Sequence, residues 1–248
     1  MLEVRKISKA FGGVHALSNV SFSVAAGELL AMIGPNGAGK TTCFNLLDGQ
    51  LAPDSGAIEL DGKSLLGKAP HMICRAGVGR TFQVAAAFDS MTARENVQVA
   101  LLSHARRLAS LFTSLDQANS KKAIDLLARV GMADQADRQC AELAYGDLKR
   151  VELAVALATD PRLLLMDEPT AGMATAERHA LIGLVAELVR EQGMSVLFTE
   201  HDMDIVFGNA DRIVVLAEGE LIAAGTAAEI RADARVRRVY LGEDTLDA

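Results

Sequence analysis

One stretch restricts this chain more than any other: Gly34-Pro35-Asn36-Gly37-Ala38-Gly39-Lys40-Thr41, which follows the pattern G-x-x-x-x-G-K-[ST]. It stands directly after the apolar run Leu29 to Ile33, which reads as a strand buried on both faces. Helix formers follow from Lys40 to Leu47. A strand, a glycine loop and a helix in that order let backbone N–H groups converge on phosphate oxygens. The positive end of the helix dipole adds to the attraction. Lys40 is placed to reach β- and γ-phosphates and the Thr41 hydroxyl to ligate Mg2+, with Thr42 completing the candidate nucleotide-binding set. Cys43 and Phe44 behind the loop read as core packing.

A second apolar run, Leu163 to Met166, ends in Asp167-Glu168. Such a pair can simply be a strand meeting solvent. In an open parallel sheet, however, the carboxyl ends of the strands are where ligands bind. With a phosphate loop in the same chain, Asp167 is the candidate to hold Mg2+ through its water shell. Glu168 is the candidate base for an attacking water.

Around these two points the chain alternates. Leu2, Val4 and Lys6 alternate with Glu3, Arg5 and Ile7 in a first strand ending at the Phe11-Gly12-Gly13 turn. Val20 to Val24 and Ala57 to Leu60 also read as strands, the latter entering an Asp61-Gly62 turn. From about residue 85 the texture becomes helical. Thr92-Ala93-Arg94-Glu95 is a capping box; Lys121 to Val130 is a helix capped by Gly131; Asp147 to Thr159 is another. Alternation returns with a helix over Glu177 to Gln192, a strand at Ser195 to Thr199 and a hairpin about Glu218-Gly219. One closing helix is expected near Ala227 to Tyr240. The fold class is therefore α/β with a largely parallel sheet and a helical insertion.

Composition excludes several alternatives. The 248 residues are 50% hydrophobic, too apolar for a disordered chain. No apolar run nears the roughly 18 residues of a membrane span, and the N-terminus lacks a signal-peptide stretch, so a cytoplasmic location is expected. Net charge is −7, without the basic footprint of a nucleic-acid binder. Cys43, Cys74 and Cys140 are odd in number and distant, and read as small buried hydrophobes in a reducing compartment. His15, His71, His104 and His179 are assigned to surface or packing.

A phosphate loop alone leaves kinases, GTPases, helicases and transport ATPases open; a GTPase would want Asn-Lys-x-Asp, which is missing. Leu143-Ala144-Tyr145-Gly146-Asp147, leading into a helix ahead of the carboxylate strand, resembles the signature region of ABC (ATP-binding cassette) ATPases. Gln83 after Arg80-Thr81-Phe82 is similar to that family's Q-loop, Ala171-Gly172-Met173 to its D-loop, and His201 after Phe198-Thr199-Glu200 to its switch histidine. Phe11 stands where the family sets an aromatic ring against adenine. The departures are Ala144 for Ser, Tyr145 for Gly, Asp147 for Gln, and Ala174 where the D-loop usually has Asp. Leu-Ala-Tyr-Gly, Thr-Ala-Gly-Met, Gly-Arg-Thr-Phe-Gln and the tail Val239 to Glu243 resemble ATPase subunits of branched-chain amino acid importers.

The resemblance implies a P-loop NTPase core, mostly parallel with an N-terminal antiparallel β-subdomain, over 1–84 and 160–248. A helical subdomain bearing the signature occupies 85–159 of a single ABC ATPase domain. It implies ATP and Mg2+, with Glu168, His201 and Gln83 catalytic and Thr41, Gln83 and Asp167 at the metal. It implies a head-to-tail dimer with itself or a homologue, residues 143–147 of one copy closing on the ATP of the other. Transmembrane permease subunits would hold the pair at the inner face of the cell membrane, and a periplasmic substrate-binding protein would be an indirect partner. The alternatives are an ATPase subunit for urea or amide import or lipopolysaccharide export, a soluble non-transport ABC ATPase, or a nucleotide-binding regulator that does not hydrolyse.

Overall fold

The computed structural model describes residues 1–81, 87–105 and 117–241. Its first part is β1 (Leu2–Phe11), β2 (Val14–Val24), β3 (Leu29–Ile33), α1 (Lys40–Leu47), β4 (Ser55–Leu60), β5 (Lys63–Ser64), α2 (Pro70–Arg75) and β6 (Val78–Thr81). The helical stretch is α3 (Ala93–His104), α4 (Gln117–Arg129) and α5 (Tyr145–Leu157). The chain continues with β7 (Leu163–Asp167), α6 (Thr175–Gln192), β8 (Ser195–Thr199), α7 (Met203–Asn209), β9 (Arg212–Ala217), β10 (Glu220–Gly225), α8 (Ala227–Ala232) and α9 (Ala234–Leu241).

The strands form two sheets. β2-β1-β4-β5 is antiparallel, and β10-β9-β3-β8-β7-β6 is parallel except where β10 turns back on β9. β3, β7 and β8 are buried throughout, in keeping with their apolar centres; Asp167, Ser195 and Thr199 are the buried polar residues at the ends of β7 and β8. Their side chains alternate between two cores. Leu29, Ala31, Leu164, Met166, Val196 and Phe198 join the helical layer; Leu30, Met32, Leu163, Leu165 and Leu197 face α1 and the antiparallel sheet. Each fully buried Leu or Phe contributes about 1.5–3 kcal/mol. Helices α3, α4 and α5 enter the first core through Val97, Leu127 and Val151, so the helical stretch is packed onto the sheet face. No helix of the described residues is long and apolar enough to cross a membrane.

Several expectations need correction. The first strand does not keep simple alternation: Lys6 adopts φ 48° and the pairing slips between Val4↔Phe22 and Ile7↔Val20. The extra residue is a bulge, and it turns Ile7 into the core instead of outward. The single closing helix is two, because Asp233 has extended backbone (ψ 120°) between α8 and α9. Its carboxylate accepts from Arg235 N at 2.8 Å and pairs with the Arg235 side chain, which holds its pKa down to about 2. Cys74 is only half-buried, because α2 lies near the surface; Cys43 and Cys140 are buried, and burial pushes the Cys43 thiol up to about 12. Helices α2 and α7 and strand β6 are additions, as they are too short to show a period.

Candidate functional site

The chain leaves β3 at Gly34, whose α-carbon faces the Leu216 carbonyl so closely that any Cβ would collide with it. At the other end of the loop Gly39 takes φ +102° and heads α1. A Cβ there would lie 2.5 Å from the Ala16 carbonyl oxygen and 2.7 Å from Leu17 Cδ2. The first turn of α1 carries no acidic residue, so its N-terminal partial charge is left for an anion. Lys40 is buried and its Nζ donates to the carbonyls of Gly34 (2.6 Å) and Pro35 (3.1 Å). Burial lowers its pKa, while the charges of Glu168 and Asp167 work in the opposite direction. Gly39→Ala is expected to cost about 1–3 kcal/mol through backbone strain alone, with the clash added. Urea unfolding measures this, and a value within a few tenths of wild type would contradict the close approach.

Strand β7 delivers the carboxylates. Asp167 is buried, and its Oδ1 accepts from the Thr199 hydroxyl at 2.8 Å. That same hydroxyl accepts from the Glu168 backbone N–H at 2.9 Å, so β8 fixes both acids through one oxygen. Glu168 has φ +49°, a conformation that costs a non-glycine residue about 1–3 kcal/mol and is found at functional sites. The bend turns its side chain to His201, whose Nε2–H donates to Glu168 Oε1 at 2.8 Å. Buried Glu200 braces the corner, accepting from Thr170 N (3.1 Å) and Oγ1 (2.5 Å) and from His201 N (3.3 Å). Asp202 caps α7 immediately afterwards, accepting from Asp204 N and Ile205 N.

Among the described residues no three His, Cys, Asp or Glu side chains gather at one point. Mg2+ takes one or two protein oxygens and fills its octahedron with phosphate and water. Exposed Thr41 and buried Asp167 are such donors.

The remaining candidates sit on other elements. Phe11 is exposed at the end of β1, with the Lys9 ammonium 5.5 Å from its ring centroid. Residues 143–147 head α5 and make no hydrogen bond or ion pair to the loop 34–41. Leu143 is half-buried against the main core. Tyr145 is exposed and lies beside Gly172, where an added Cβ would be 3.3 Å from its Cε1. Gly146 backs onto Glu177, whose carboxylate accepts from Ala174 N at 3.1 Å, so this segment is tied to the 171–174 loop of its own chain. Asp147 accepts from Gln135 Nε2 at 3.1 Å. Ala144 is the N-cap of α5 and offers no side-chain cap. Ala144→Ser is expected to stabilise the nucleotide-free protein by about 1 kcal/mol, read by urea unfolding, because the hydroxyl satisfies an open N–H. Gln83 lies outside the described residues, as do Phe82 and the tail beyond Leu241.

Several contributors had no readable signal in the sequence. Thr199 and Glu200 act only because β8 lies beside β7. Tyr240, on α9, receives a hydrogen bond from the Gly34 backbone, while burial pushes its pKa up to about 12. Arg80, on β6, reaches Asp167.

A family model described as ABC transporter matches residues 17–171. A second, described as Branched-chain amino acid ATP-binding cassette transporter, matches residues 220–245. The high-affinity branched-chain amino acid transport ATP-binding protein LivG of Escherichia coli (strain K12) is 40% identical over 252 residues, covering 98% of each chain. BraF of Pseudomonas aeruginosa, which has the same description, is 41% identical over 250 residues, with the same coverage. Among solved structures, a nucleotide-free ATP-binding cassette from an ABC transporter superposes with a TM-score of 0.87 at 33% identity, covering 98% of this chain and 99% of that one. An ADP conformation of an ABC transporter cassette matches with the same score, identity and coverage.

Proposed function

Because the chain belongs to the ABC transporter ATP-binding family, we propose that it powers a membrane importer of branched-chain or related amino acids, with the residues above as its catalytic set. The protein binds and hydrolyses ATP. The observation that carries the site assignment is the Glu168–His201 pair, held at the carboxyl ends of β7 and β8 beside the loop that contains Lys40.

In this reading the amides of 34–39 and the Lys40 ammonium bind the β- and γ-phosphates. Thr41, Asp167 and Gln83 would hold Mg2+, which supplies charge neutralisation across those phosphates when bound. Glu168 accepts a proton from the water whose oxygen attacks the γ-phosphorus, and the bond to the β-phosphate oxygen breaks to leave ADP. His201 orients Glu168 through its Nε2–H and faces the γ-phosphate oxygens. Phe11 stacks on adenine. Residues 143–147 of a second copy, or of a homologous ATPase, close on the γ-phosphate from the other side, and hydrolysis removes what they hold. Without a Ser hydroxyl at Ala144, the trans contact rests on backbone N–H groups and the α5 dipole. Ala144→Ser should therefore also raise ATP-driven dimerisation, measured by sedimentation; no change would mean that the backbone suffices.

Permease subunits carry the membrane path and a periplasmic binding protein selects the cargo. The cargo assignment is supported by residues 220–245 and by the relatives' descriptions. Co-expression with candidate branched-chain amino acid permease subunits and reconstitution in vesicles tests it. Leucine-loaded binding protein should stimulate ATP hydrolysis and drive leucine uptake. Stimulation by urea or an amide instead would reassign the cargo, and activity without permeases or vesicles at full rate would remove the transport role.

A further inference from the structure

Arg80 sits on β6 opposite Leu165 of β7, one strand from the carboxylate pair. Its guanidinium lies between two acids that are both nearly buried, Asp48 at 8% and Asp167 at 4% exposure. Nη1 donates to Asp48 Oδ2 at 2.5 Å and to Asn45 Oδ1 at 2.7 Å, both on or just after α1. Nη2 reaches Asp167 Oδ2 at 3.4 Å. The Phe44 ring lies under the guanidinium, its centroid 5.9 Å from the guanidinium carbon. One cation thus ties the helix behind the phosphate loop to the strand that presents Asp167.

Two details show where the fork is aimed. Arg80 Nε is buried and makes no hydrogen bond among the described residues, which is costly for a buried donor. Both Nη groups are engaged, by Asp48 and Asn45 on one side and by Asp167 on the other. The two acids also differ in what else holds them. Asp48 has Gln50, through its backbone N–H at 3.1 Å and its side chain at 2.7 Å. Asp167 has Thr199 on Oδ1, and on Oδ2 only Arg80 among the described hydrogen bonds.

We propose that Arg80 is a positioning residue of the ATPase site: holding Oδ2 while Thr199 holds Oδ1, it completes the orientation of the Asp167 carboxylate toward the hydrated Mg2+ of the bound nucleotide. Groups that orient a metal's ligands without touching the metal typically change affinity or activity by about 10–100-fold when removed. The inference rests on the ATPase reading above.

The test compares Arg80→Gln, Arg80→Lys and Asp48→Asn with wild type. Two readouts are taken: the Mg2+ concentration giving half-maximal ATP hydrolysis, and the affinity for a fluorescent ATP analogue in Mg2+ and in EDTA. Arg80→Gln is expected to raise the half-maximal Mg2+ about tenfold and to shrink the gain in nucleotide affinity that Mg2+ brings. Its affinity in EDTA should stay within about twofold of wild type, since the loop and Lys40 are untouched. Arg80→Lys should fall between, because a point charge meets one acid where the planar fork spans two. Asp48→Asn breaks the same network on its other side and should leave the Mg2+ response nearly unmoved. Equal shifts in Arg80→Gln and Asp48→Asn, or a folded Arg80→Gln with the wild-type response, would overturn the assignment. If Arg80→Gln does not fold, Arg80→Lys decides by the same comparison. A wild-type protein whose hydrolysis ignores Mg2+ would instead sink the ATPase-site reading itself.

Discussion

Lys40→Ala should abolish ATP binding at concentrations that saturate the wild-type protein. The ammonium is buried at the base of the loop, where its attraction to phosphate is weakly screened by water. Truncating one partner of a buried, hydrogen-bonded charge pair costs about 2–5 kcal/mol, which is roughly 30- to several-thousand-fold in affinity. A second loss adds to this, because Lys40 Nζ also holds the Gly34 and Pro35 carbonyls and thereby the curve of the loop. Fluorescence titration with an ATP analogue measures the effect, and circular dichroism checks that the fold persists. Unchanged affinity would remove the loop 34–41 from the nucleotide site.

Glu168→Gln should leave ATP binding intact, lower the turnover rate by about 10²–10⁴-fold and trap an ATP-bound dimer. The amide is close in shape to the carboxylate, and its Oε1 can still accept from His201 Nε2–H, so the 2.8 Å contact is retained while the proton acceptor is lost. ATP then persists between the two copies, and the closed state accumulates. Size-exclusion chromatography with ATP and Mg2+ should show a dimer that wild type shows only transiently. A monomer alone under those conditions, with hydrolysis still at the wild-type rate, would take the base role away from Glu168.

Much of this is legible in the sequence alone. The loop 34–41 declares itself because each of its residues has a local reason: glycines for backbone approach, Lys40 for charge, Thr41 for a hydroxyl. The apolar stretches of β3, β7 and β8 are equally clear, since burial on both faces confines polar residues to strand ends: Asp167 in β7, Ser195 and Thr199 in β8. The six-residue helix α2 has neither a continuous apolar run nor enough turns to show a period. The Lys6 bulge was invisible for another reason: one positive φ leaves the residue types unchanged and shifts only which face they meet.

The sequence by itself determined the chemistry: which groups can bind phosphate, carry a proton or hold a divalent cation, and the order in which the chain presents them. That follows because these are properties of side chains and of neighbours a few residues apart. Only the tertiary structure decided which of them meet. The parallel order β3-β8-β7-β6 sets Gly34, His201 and Glu168 at the same ends of adjacent strands, and brings Arg80 to Asp167 across 87 positions. Strand order arises from non-local pairing and from filling two cores at once, and no window of sequence contains it. The hydrogen bonds of Thr199 to both acids, and the Arg80 bridge, exist because of that order.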